Sequence, residues 1–176
     1  MYSTMQTAQQ AHAFYMAANT DDPAYALGQT PLRSPSVFNF YRPGYKPPRT
    51  QLGTLQLVAP EMQITNETSV LGYANFVATM LDQGWGEANP QTGKPDIQFN
   101  LTSLQALDDG TDQVRPQRLV DEVARRLLGA RLSISMNDRI VTAVGAMPRD
   151  TAQDKRRRAA AAIALVAVSP AYIVQQ

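Results

Sequence analysis

Seven of the chain's twelve prolines fall between Pro23 and Pro60. Each fixes its own φ and lacks an amide donor, so this stretch can form neither a long helix nor a central strand. The residue ahead of each proline is pushed out of helical geometry as well. The centre of the stretch, PLRSPSVFNFYRPGYKPP, carries Phe38, Phe40, Tyr41 and Tyr45, too aromatic a composition for a disordered linker. The pattern predicts a folded, irregular strap over residues 20–65, with its rings anchored on a core.

Around the strap the apolar spacing is helical. Met5, Ala8, Ala11, Tyr15 and Ala18 give a weak stripe over residues 1–19. Val70, Leu71, Ala74, Val77, Ala78 and Leu81 give a stronger one, predicting a helix over 66–82. Thr65 or Asn66 can cap it, Glu67 suits its positive first turn, and Gly84 can end it. Residues 83–100 hold three glycines, two prolines and the only tryptophan, Trp85, and read as a loop.

Residues 101–176 read as a helical bundle region. A short helix is expected over 102–107. A longer one begins near Pro116, with Leu119, Val120, Val123, Leu127 and Leu128 inward and Gly129 as its left-handed stop. Ser135 to Asp138 resembles a capping box opening a stripe of Met136, Ile140, Val144 and Met147. Thr151 to Asp154 has the same form and opens the last helix, to about Val168, after which the tail AYIVQQ is apolar enough to dock. The expected fold is one all-α domain of about five main helices plus the strap, with little or no sheet.

Composition removes whole classes of chemistry. No cysteine means no disulfide scaffold, thiolate metal site or cysteine nucleophile, and a single histidine, His12, removes multi-histidine metal sites. No metal and no cofactor is expected. A net charge of +1 gives no global field toward nucleic acid or membrane. That balance hides an asymmetry: residues 1–114 carry 5 basic and 10 acidic side chains, residues 115–176 carry 11 and 5. The longest apolar run, Ala159 to Val168, is too short to span a bilayer. Neither a signal-peptide pattern at the N-terminus nor a nucleotide, hydrolase or metalloprotease motif is present.

Few residues remain as candidates. Glu61, between the strap and the first strong helix, is the catalytic candidate; its structural alternative is an ion pair with Arg42 or Arg33 that pins the strap. Arg42, Tyr41, Tyr45 and Trp85 are candidate binding residues, the aromatic ones with core anchoring as the alternative. Asp21-Asp22, Asp108-Asp109 with Asp112, and Asp121-Glu122 read as caps, turns and helix-end acids. Lys155 to Arg158 reads as a solvated helix face with no interleaved aromatic ring to stack a base. Asn66 and Asn100 sit in glycosylation sequons.

The strings SPSVFNFYRPGYKPP and LVAPEMQITNETSVLGYANF, together with the ending SPAYIVQQ, resemble the C-terminal part of the bacterial family known as domain of unknown function 1800. The resemblance covers about residue 25 to the end. It implies a predominantly helical protein, usually of several hundred residues, exported, and often encoded beside a second secreted, sulfatase-like family. The chain then reads as a C-terminal portion whose partner is the missing N-terminal part or a co-encoded exported protein, in the periplasm or outside the cell. The family supplies no catalytic residues. The expected function is a structural or interaction module. The alternatives are a fragment of an extracellular polymer-processing hydrolase, with Glu61, Arg42 and Tyr45 under the strap, and nucleic-acid binding through the basic last third.

Overall fold

The computed structural model describes residues 3–5, 20, 22–30, 32–108 and 115–173. It divides into two compact units, one of Met1–Ala17 with Val77–Gln176 and one of Ala18–Phe76. The described chain runs β1 (Ser3–Met5), α1 (Gln51–Thr54), α2 (Glu67–Gln83), β2 (Trp85–Ala88), β3 (Pro95–Phe99), α3 (Thr102–Gln105), α4 (Arg115–Leu128), α5 (Ile134–Gly145), α6 (Ala152–Ala167) and α7 (Pro170–Ile173). Two 3-10 turns, Pro60–Ile64 and Ala106–Asp108, complete it. The protein is predominantly helical, as the periodicity predicts.

In the larger unit, α4, α5 and α6 contact one another pairwise, and α3 packs on α6. Leu119, Val120 and Val123 of α4, Val144 of α5, and Ile163 and Val166 of α6 are almost wholly enclosed. Burying a side chain of this kind is worth about 1.5–3 kcal/mol, so this shared face holds the unit together. Ala159 and Ala162 are fully buried beside them, and their small side chains let α6 approach closely. The caps follow the sequence in part. Thr151 and Asp154 form the expected reciprocal capping box. Gly129 takes φ +66 and donates its N–H to the Arg125 carbonyl. The α5 box is a correction: that helix starts earlier, after Ser133, with no side-chain cap.

The segment 83–100, expected as a loop, is instead a hairpin. β2 and β3 pair antiparallel, and β1 adds to the far edge of β3, with Ser3 opposite Phe99 and Met5 opposite Ile97. A strand thus occupies part of the region read as an N-terminal helix; residues 6–19, with His12, lie outside the described residues. The hairpin turn is organised by Asn89, whose Oδ1 accepts from the Gln91 N–H at 2.8 Å and whose carbonyl accepts from Gly93 N–H at 2.8 Å.

The smaller unit is irregular, as the prolines require, and of its strap rings Phe40, Tyr41 and Tyr45 are half-buried while Phe38 is exposed. Its buried residues are small or polar: Thr20, Ala26, Thr30, Pro47, Ala59, Ser69 and Gly72. Thr20 and Thr30 close a loop, their hydroxyls 2.6 Å apart and the Thr20 N–H donating to Thr30 Oγ1 at 2.7 Å. The α2 stripe also fails at its start, because Val70 and Leu71 are exposed while Val77 and Leu81 are buried. The unit's share of α2 contributes Gly72 instead: a Cβ there would lie 2.1 Å from the Pro23 carbonyl oxygen. Only glycine lets the backbone of residues 23–24 cross so close.

Candidate functional site

The basic run at the start of α6 is not the solvated face its sequence suggests. Arg158 is 1% exposed and Asp108 likewise. Arg158 Nε and Nη2 hold the two Asp108 carboxylate oxygens at 2.5 and 3.0 Å, while Nη1 donates to the Met147 carbonyl at 2.8 Å. Two charges out of water are tolerable only when paired and hydrogen-bonded in this way. Arg156 also turns inward, its guanidinium donating to the carbonyls of Phe99 and Leu81. Half of the four-cation run therefore stitches the larger unit together, which leaves the nucleic-acid alternative without a concentrated patch.

On α4, Glu122 receives Arg125 at 2.7 and 2.8 Å and Arg126 at 2.7 Å. The hydrogen bonds from Arg125 and then Arg126 hold its carboxyl well below the usual range, at about 2. The hydrogen bonds from Thr151 likewise lower Asp154. Asp121 Oδ1 accepts from Gln117 Nε2 at 2.8 Å. Open grooves of about 460 and 650 Å³ lie beside α4 and at the α5–α6 turn. Glu122 with Arg125 in the first and Arg158 in the second are engaged by these partners, while Arg118, Asp121 and Arg131 also line the first and Arg149 and Asp150 the second. Among the described residues no group of three histidine, aspartate or glutamate side chains could hold a metal ion, and no helix is long and apolar enough to cross a membrane.

The smaller unit places the remaining candidates. Glu61 sits in the first turn of the 3-10 segment Pro60–Ile64 and is exposed, not partly buried under the strap. The strap is pinned two residues further on, where Gln63 Oε1 accepts the Arg42 backbone N–H at 2.7 Å. Arg42 is exposed, and Tyr41 and Tyr45 are half-buried. Tyr45 is tied by its backbone, its carbonyl accepting from Ala59 N–H at 2.9 Å. Trp85 belongs to the other unit, half-buried on β2. The structure thus brings Arg42, Tyr41, Tyr45 and Glu61 into one unit, and Trp85 belongs to the other. Both sequon asparagines are engaged locally: Asn66 Oδ1 caps α2 through Ser69 N–H, and Asn100 Oδ1 accepts from Thr102 N–H.

What sequence reasoning missed is the direction of the strap's apolar residues. Tyr25, Leu32, Val37, Phe38, Leu55, Leu57, Val58, Val70 and Leu71 are all exposed, and all belong to the Ala18–Phe76 unit. These nine lie within residues 25–71; singly such exposure is ordinary, and it is a contiguous patch that marks an interaction surface. The described non-glycine residues with positive φ, Leu32, Asn39, Arg49 and Gln56, fall in the same stretch. Such a conformation is uncommon for any of them and an outlier for leucine, at a cost of about 1–3 kcal/mol each.

A predominantly helical chain with an irregular, proline-rich strap that leaves several large apolar side chains exposed is the class these features define. The chain belongs to the family described as protein of unknown function (DUF1800), whose model matches residues 1–174. No curated protein and no solved structure matches it.

Proposed function

We propose that the chain is a structural and interaction module of an exported bacterial protein, working through the outward apolar surface of the Ala18–Phe76 unit in the cell envelope or beyond it. The observation that supports this reading is the inversion in that unit, whose small and polar residues are inside while Leu32, Val37, Phe38, Leu55 and Val58 are outside. Docking that removed such a side chain from water would gain about 1.5–3 kcal/mol for each one fully buried. Export is the part of the reading carried by the family resemblance alone.

The test is to substitute Leu32, Phe38, Leu55 and Val58 together by serine and to fractionate bacteria producing the exported chain. Because these side chains are exposed already, the far-UV spectrum and thermal midpoint should stay unchanged. The chain should move from the envelope fraction to the soluble fraction. A variant that remains with the envelope, or a parent chain that never associates with it, overturns the reading.

A further inference from the structure

We draw no further inference here: the strongest candidate, the open groove beside α4 lined by Arg118, Arg125 and Arg131, carries nothing, because Asp121 and Glu122 share its walls and Glu122 already holds Arg125, so that nothing there selects the charge or class of a ligand.

Discussion

Arg158 and Asp108 stand fifty positions apart in sequence, yet their side chains share a bidentate contact that water hardly reaches. Removing one partner strands the other as an uncompensated buried charge. Asp108→Asn and Arg158→Met should therefore each lower the unfolding free energy by about 3–5 kcal/mol in urea titrations, and a double Asp108→Leu/Arg158→Met variant should recover most of it. Glu122 makes a different prediction. Its folded carboxyl sits at about 2 against an ordinary 4.5, so the native state binds the proton less readily than the unfolded chain. The stability from this group is complete above about pH 4.5 and is lost as pH falls toward 2. Asp154 is depressed as well and adds in the same direction. In denaturation followed by circular dichroism across pH, Glu122→Gln should lower the stability at neutral pH toward its acid value and so flatten that limb. The buried pair had a signal in the sequence: Arg158 lies four and eight residues before Ala162 and Val166, on the apolar face of α6. Its place inside a run of cations hid that register, and its partner lay too far along the chain for any local rule to find.

The elements that the sequence announced are the ones with repeated helical spacing. α4, α5 and α6 begin and end within one or two residues of their expected bounds, since their stripes of Leu119–Val123, Ile140–Val144 and Ile163–Val166 meet in one core. The hairpin was hidden because each strand is only four or five residues long, with Gly86 inside one and Pro95 opening the other. Such strands show too little alternation to stand out, and β3 gains half of its pairing from residues some ninety positions earlier. The site was less legible still. Composition can say that the strap is apolar and aromatic, but whether it faces inward depends on what else is available to cover it. At this scale Thr151→Ala, which removes the reciprocal cap of α6, should cost about 1 kcal/mol in chemical denaturation. Gly72→Ala should be more damaging to the Ala18–Phe76 unit, because its new methyl meets the backbone of Pro23 and Ala24; faster proteolysis within residues 23–60 would report it.

For the molecule as a whole, amide exchange should be slowest in α4, α5 and α6, where the hydrogen bonds belong to helices backed by fully enclosed side chains. It should be fastest through residues 23–60, where backbone bonds are few and lie near the surface. Uniform protection across both regions would contradict the division between them. The outward strap has one more consequence, and it is thermal. Unfolding raises heat capacity mainly by wetting apolar surface, at about 12–15 cal/mol/K per residue in ordinary domains. Among the described residues of the Ala18–Phe76 unit, part of that surface is wet before unfolding begins, since Leu32, Val37, Phe38, Leu55, Leu57 and Val58 already face water. A calorimeter should record a heat-capacity step well below the value expected for a chain of 176 residues, and a stability curve correspondingly flatter, with cold denaturation pushed further from reach.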